Sequence, residues 1–365
     1  MTASVLAVVG ARPNFVKAAP VIEPLERTDG ITVRLLHTGQ HYDRALSDGF
    51  IERLGMRYPD ANIGVGSGTH AEQTAAVMTG VEADLLEHPA DLTLVAGDVN
   101  STMGAALAAT KVGVAVAHIE SGLRSRDWGM PEEVNRVVTD RVSDLCLCTS
   151  PDAVENLAAE GISGDVVQLV GNTMIDSLFR ILDGVDRDAV LASQEVERRA
   201  FVLVTLHRPG LVDDPERLGA VIEVLGELGA ELPVLFPAHP RTTGRLTDAG
   251  IVVPAGLRIV DPMDYGEFIA LEAEARLVIT DSGGLQEETT VLGVPCLTYR
   301  TTTERPITVE QGTNELIGVD PGALRDAARR ALTTDPPAEA PQIPLWDGKS
   351  GPRAAAAIEA FLAQH

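Results

Sequence analysis

The sequence predicts an α/β protein made of two doubly wound parallel-sheet domains. Short apolar runs alternate with helix-period segments up to about residue 170, and the alternation restarts at Phe201 after a charged span. The chain's 365 residues exceed one ordinary α/β core. Hydrophobic residues at 45% and charged residues at 22% describe a globular, enzyme-like composition.

The first element, MTASVLAVVG, reads as a buried strand rather than a secretory signal, because no basic region precedes its short apolar run. No apolar run is long enough to span a bilayer, so the expected location is the cytoplasm. After a glycine turn, ARPNFVKAAPVIEPLE reads as a helix with Arg12 and Lys17 near its start, where backbone N–H groups favour an anion. Arg12 suits forked recognition of a diphosphate, whereas Lys17 fits a solvated helix position equally well. The turn is neither G-x-G-x-x-G nor a Walker A loop. ITVRLLHTG is the next strand, QHYDRALSDGFIERLG a polar turn entering a helix, and HAEQTAAVMTGVEADLLEHP an amphipathic helix.

The stretch from Asp91 to Arg141 carries the densest chemistry. Two apolar runs, LTLVA and VAVAHI, flank the helical STMGAALAATKVG, which makes a parallel crossover. Asp98 follows the first run and Glu120 the second; Glu132 and Glu133 follow Pro131, with Arg136 one turn further. Each acid alone fits a turn or a helix start. Gathered at adjacent strand ends, where doubly wound sheets bind ligands, they point to acid–base chemistry. DLCLCTS is then a strand whose Cys146 and Cys148 fit core packing, SPDAVENLAAEG a helix with Ser150 as its cap, and VVQLVGN a strand.

The second half opens with a helical DAVLASQEVERR. FVLVTLH, LPVLFPAH, LRIVD, RLVITDS and VPCLTY read as strands, separated by helices such as DDPERLGAVIEVLGEL, YGEFIALEAEA and LQEETTVLG. Its sharpest signal is ITDSGGLQEE: a strand ends at Asp281, and Ser282, Gly283 and Gly284 open a helix at once. That is a phosphate cradle of backbone amides and one hydroxyl. Glu288, further along that helix, could accept two ribose hydroxyls. His207 and His239 end strands beside Arg208 and Arg241, and Arg305 lies in a hydroxyl-rich loop placed to close over a ligand. The tail GPRAAAAIEAFLAQH is helical.

A net charge of −24 argues against nucleic-acid or anionic-membrane partners, so an anionic substrate needs a local basic pocket. The histidines have no metal-ligand spacing, and no Ser-His-Asp order or nucleophile elbow occurs; neither a metal nor a redox cofactor is expected.

Taken together, GARPNFVKAAP, TGQH, AGDVNST, HIESGLRS, PEEVNR, VGNTMID, TLHRP, DSGGLQEE, LGVP and TTERP resemble the non-hydrolysing UDP-N-acetylglucosamine 2-epimerases, in order along nearly the whole chain. The resemblance implies two Rossmann-like domains facing a central cleft (GT-B type): residues 1–170, a UDP-binding domain over 171–345, and a terminal helix over 346–365 packing back on the first domain. It implies catalytic roles for Asp98, Glu120, Glu132 and His207, and UDP contacts for Arg12, Ser282, Gly283, Gly284 and Glu288. Lys17, Arg136, His239 and Arg305 are expected at substrate or phosphate. The implied reaction interconverts UDP-N-acetylglucosamine and UDP-N-acetylmannosamine by eliminating UDP to 2-acetamidoglucal and adding it back, in a homodimer. The alternatives are a hydrolysing 2-epimerase that releases N-acetylmannosamine and a GT-B glycosyltransferase. Many bacterial members bind a second UDP-N-acetylglucosamine as activator through a glutamine and an arginine; here those positions hold Asp43 and Ala76, which implies an absent or altered activator site.

Overall fold

The computed structural model describes residues 2–39, 51 and 53–364. The chain divides into two compact units, residues 1–181 with 344–365, and residues 182–343.

In the first unit, β1 (Ala3–Val9), β2 (Ile31–His37), β3 (Ala61–Asn62), β4 (Leu92–Ala96), β5 (Ala115–Ser121), β6 (Leu145–Cys148) and β7 (Val167–Leu169) form one sheet in the order β3-β2-β1-β4-β5-β6-β7. Every pairing is parallel. Val5–Val9 of β1 and all of β4 are buried, as expected for strands covered on both faces. The helices are α1 (Arg12–Arg27), α2 (His70–Glu87), α3 (Asn100–Lys111), α4 (Pro131–Val142), α5 (Pro151–Ala159) and α6 (Thr173–Asp183). Strand order reverses between β1 and β4, so the loops leaving these strands flank the crevice where such sheets bind ligands. α3 is Ala-rich because it packs close to α2: a Cβ on Gly104 would lie 3.0 Å from Val77.

The carboxyl-terminal helix, Ser350–Leu362, returns to this unit and packs on α1. Its contact is so close that a Cβ on Gly351 would fall 2.0 Å from the Pro20 carbonyl oxygen. The Asp176 carboxylate accepts from Ser350 N at 3.1 Å and Gly351 N at 2.7 Å, and the Trp346 indole donates to Thr149 O at 2.9 Å.

The second unit repeats the winding with β8 (Val202–Thr205), β9 (Val234–Pro237), β10 (Leu257–Val260), β11 (Leu277–Thr280), β12 (Cys296–Thr298) and β13 (Asn314–Leu316), in the order β10-β9-β8-β11-β12-β13. Its helices are α7 (Arg187–Ser193), α8 (Pro209–Val212), α9 (Pro215–Leu228), α10 (Pro240–Asp248), α11 (Tyr265–Glu274), α12 (Gly283–Leu292), α13 (Pro306–Glu310) and α14 (Pro321–Thr333). The order again reverses beside the first strand, between β8 and β11. Both sheets are therefore Rossmann-like.

Three local expectations change. The helix expected over DAVLASQEVERR stops at Ser193, and Glu195 and Arg199 take φ values of 50° and 55°. The chain turns there so that Leu191 and Val196 enter one core cluster. Ser150 occupies the cap position of α5, but its hydroxyl does not bond the helix. β3 and β13 have only 2 and 3 residues at the sheet edges, too short to show a period.

Candidate active site

In the first unit the turns after β1, β4 and β5 meet the start of α4. Asn14 ties two of them together. Its Oδ1 accepts from Gly10 N at 3.2 Å and Ala11 N at 2.9 Å, while Nδ2 donates to Ala96 O at 2.7 Å. Gly97 turns with φ 70°, where a Cβ would come 2.9 Å from Lys17 Nζ. That ammonium also pairs with Glu120 Oε1 at 2.8 Å, with both side chains buried. Lys17 is thus a buried contact between the β4 and β5 turns, not a solvated helix residue. Arg12 is exposed at the start of α1.

Glu120 sits inside β5 rather than after it. The register with β6 shifts between Ile119 and Ser121, and Glu120 itself has φ 72°. A bulge of this kind re-aims a side chain near a site, and the left-handed backbone costs a non-glycine residue about 1–2 kcal/mol.

Asp98 is held by Arg136, whose Nη2 lies 2.6 Å from Oδ2, and Asn135 Nδ2 donates to the Asp98 carbonyl at 2.8 Å. The other arm of Arg136 reaches Glu133 Oε2 at 2.7 Å. Glu133, only 1% exposed, also accepts from Ser125 N at 2.9 Å, Ser125 Oγ at 3.0 Å and Arg126 N at 2.8 Å. The two adjacent acids of α4 therefore divide their work. Glu133 braces the arginine, and Glu132, half-buried in the first turn, makes no hydrogen bond or ion pair to a described residue.

In the second unit His207 and Ser282 stand at the reversal point between β8 and β11. Asp281 organises them. Its Oδ2 accepts from His207 N at 2.9 Å and Arg208 N at 2.8 Å, and its Oδ1 lies 2.8 Å from His207 Nδ1. Burial pushes the Asp281 carboxyl up, but the His207 contact and these amides outweigh it and hold the group below its ordinary range. The histidine is more than half exposed, with its other ring nitrogen, Nε2, left for a ligand.

Ser282 caps α12 by position, yet its hydroxyl makes no bond to that helix, so hydroxyl and amides remain for an anion. Gly283 is needed for a close approach. A Cβ there would fall 2.5 Å from Glu304 Oε1 and 2.6 Å from Arg305 Nη1. Gly284 follows it in the first turn of α12. Arg305 lies against this helix start, buried and paired with Glu287 at 2.8 Å and with Glu304, which Arg300 also reaches at 2.8 Å.

Glu288, buried on α12, accepts from the Tyr265 hydroxyl at 2.5 Å. Burial raises the Glu288 carboxyl despite that bond, and burial together with Glu288 drives Glu272 and Tyr265 well above their ordinary values. A cavity of about 200 Å³ opens at the ends of β8 and β9, with apolar walls from Leu206, Pro237, Met263 and Phe268 and with His207 and His239 in its lining. His239 caps α10, its Nδ1 accepting from Arg241 N at 3.1 Å. Among the described residues no group of three or more His, Cys, Asp or Glu is placed to hold a metal, and no helix is long and apolar enough to cross a membrane.

Residues 23–359 match the family model for UDP-N-acetylglucosamine 2-epimerase. The chain belongs to this family. A UDP-N-acetylglucosamine 2-epimerase of Methanococcus maripaludis is 37% identical over 94% of this chain and 95% of its own. A UDP-2,3-diacetamido-2,3-dideoxy-D-glucuronate 2-epimerase of Pseudomonas aeruginosa is 39% identical over 90% of this chain and 92% of its own. Among solved structures, the Methanocaldococcus jannaschii UDP-GlcNAc 2-epimerase in complex with UDP-GlcNAc and UDP superposes with a TM-score of 0.88 at 37% identity, covering 99% of this chain and 100% of that one. The two Rossmann-like sheets are those of this GT-B-type 2-epimerase fold.

Sequence reading of this family member missed several groups that hold the named residues or the turns carrying them, Asn14, His118, Asp140 and Tyr265, and the bracing roles of Glu133 and Asp281. Asp281 and Glu133 stand inside the motifs the sequence marks, but only the helix and strand directions show which way each side chain turns. Asp43 lies outside the described residues, and Ala76 is exposed on α2.

Proposed function

We propose that the protein interconverts UDP-N-acetylglucosamine and UDP-N-acetylmannosamine by eliminating UDP and adding it back, without hydrolysis. The observation that carries this reading is the pair of strand-end carboxylates, Asp98 and Glu120, each held by its own buried cation, Arg136 and Lys17. The hydrogen at sugar C2 has no adjacent carbonyl to acidify it, so direct deprotonation is very costly. Breaking the C1–O bond first builds oxocarbenium character, which nearby carboxylates stabilise, and C2 then loses its proton as the alkene of 2-acetamidoglucal forms.

Inversion requires that the proton leave one face and return to the other, so one acid group is not enough. Asp98, Glu120 and Glu132 supply three, from two strand ends and a helix start. Within the second unit, retention of the departing UDP falls to the Ser282–Gly283–Gly284 helix start and to Arg305, which lies against it. His207, aligned by Asp281, donates to the leaving phosphate oxygen. The apolar cavity between His207 and His239 fits a nucleobase, and Glu288 accepts the ribose hydroxyls. Retention of UDP, not its release to solvent, separates this reaction from the hydrolysing one.

Proton NMR of UDP-N-acetylglucosamine incubated with the enzyme in heavy water tests the proposal. The expected result is UDP-N-acetylmannosamine with deuterium at C2 in both epimers. Free N-acetylmannosamine with UDP would instead identify the hydrolysing reaction, and an unchanged C2 proton would exclude both. The Pseudomonas relative favours a second substrate reading, a UDP-sugar with a 3-acetamido group and a carboxylate at C6. Competition between the two UDP-sugars in the same assay decides between them by kcat/KM.

A further inference from the structure

We propose that His118 and Asp140 are positioning residues for the epimerisation, a buried pair that fixes the two turns carrying Asp98 and Glu120. The inference rests on the reading that those two carboxylates act on the sugar. Asp140, on α4, reaches both turns. Its Oδ2 accepts directly from Gly122 N at 3.0 Å, two residues beyond Glu120, and from Arg124 Nη1 at 2.7 Å. Its Oδ1 lies 2.7 Å from His118 Nδ1, and the opposite ring nitrogen of His118 donates to the Gly97 carbonyl at 2.8 Å, one residue before Asp98. The imidazole is fully buried, at 0% exposure, so neither contact competes with water.

Both turns need such a restraint. Gly97 and Gly122 have φ values of 70° and 83°, and Glu120 between them in sequence is held at 72°. Ser121 Oγ adds a bond to His118 O at 2.7 Å, which locks the bulge to the same histidine. Neither His118 nor Asp140 stands at a strand end or helix start facing a ligand, so each acts through Asp98 and Glu120 rather than on the sugar. A displacement of about 1 Å in such carboxylates is enough to lower turnover by roughly 100-fold.

Two substitutions separate the contacts. The amide of His118→Gln can reach the Gly97 carbonyl, as Nε2 does, whereas the shorter amide of His118→Asn reaches only toward Asp140. The expected result is that His118→Asn lowers kcat roughly 10- to 100-fold with KM within about threefold of the parent, and that His118→Gln restores most of kcat at a similar thermal midpoint. Equal losses of kcat in both variants, tracking their loss of stability, would overturn the proposal in favour of plain core packing. Asp98→Asn run alongside separates the two readings. A fully active Asp98→Asn removes the site reading itself, and an inactive one beside a fully active His118→Asn removes only the positioning role. In the unmutated enzyme, 15N-labelled His118 ring N–H protons should exchange slowly with solvent; immediate exchange would contradict the buried contacts even if both variants fail to fold.

Discussion

Asp281→Asn isolates the part of the second unit that prepares His207. In the parent, Oδ2 accepts two backbone amides, at 2.9 and 2.8 Å, and Oδ1 faces His207 Nδ1 at 2.8 Å. An asparagine must keep its oxygen on the two amides, because its NH2 group cannot accept. The NH2 group then faces Nδ1, which must become an acceptor, so the single ring proton of a neutral imidazole moves to Nε2. The tautomer that the carboxylate selects is lost, as is the negative charge that steadies an imidazolium. Folding should change little, by about 1 kcal/mol, since both amide bonds persist. Turnover should fall by roughly 10²- to 10⁴-fold, the usual worth of a positioned acid–base group, or about 3–5 kcal/mol of barrier. Steady-state epimerisation followed by NMR gives kcat, and thermal unfolding gives the stability control. A kcat within about threefold of the parent at unchanged stability would refute the role assigned to the Asp281–His207 pair.

Arg136→Lys should lower kcat about 10-fold or more, because one ammonium cannot span Asp98 and Glu133 as the forked guanidinium does at 2.6 and 2.7 Å; an unchanged kcat would show that the bridge is dispensable. Acid stability follows from Asp140 and Asp281. Burial raises both carboxyls, but hydrogen bonds from His118 and from His207 respectively leave each below its ordinary 3.8. A group whose folded pKa is depressed stabilises the fold fully above its unfolded value, and that stabilisation is lost as pH falls through the folded value. Unfolding free energy should therefore drop below about pH 4, and Asp140→Asn should flatten the drop; an equally steep curve in the variant would contradict the assignment. Because the family resemblance implies an absent or altered activator site at Asp43 and Ala76, the rate should rise hyperbolically with UDP-N-acetylglucosamine. A sigmoidal response, with UDP-N-acetylmannosamine inert until the other epimer is added, would contradict that expectation.

Winding of both sheets was legible in the sequence because buried parallel strands are short apolar runs, LTLVA and LVIT among them, and each is followed by a helix with a polar face. The strand-end acids and the Ser282–Gly283–Gly284 turn were legible for the same reason, since the end of an apolar run marks the sheet's ligand edge. Partners were not. Lys17 looks like an ordinary helix residue until the fold brings it 2.8 Å from Glu120, a separation of 103 residues in the chain. Glu132 and Glu133 have the same letter and the same helix, and only the α4 direction distinguishes a brace from an available acid. The Glu120 bulge was hidden because a period of two cannot reveal one extra residue. Edge strands β3 and β13 are fixed by neighbours rather than by their own pattern.

Breakage and re-formation of the bond between sugar and nucleotide is the step on which the proposed function rests. It is tested most directly with UDP-N-acetylglucosamine carrying 18O at the oxygen joining C1 to the β-phosphate. If UDP departs and stays bound, that phosphate can rotate before re-addition, and recovered UDP-sugar should carry part of the label in non-bridging positions while both epimers accumulate. Label that remains wholly at the bridge while UDP-N-acetylmannosamine forms would contradict the account.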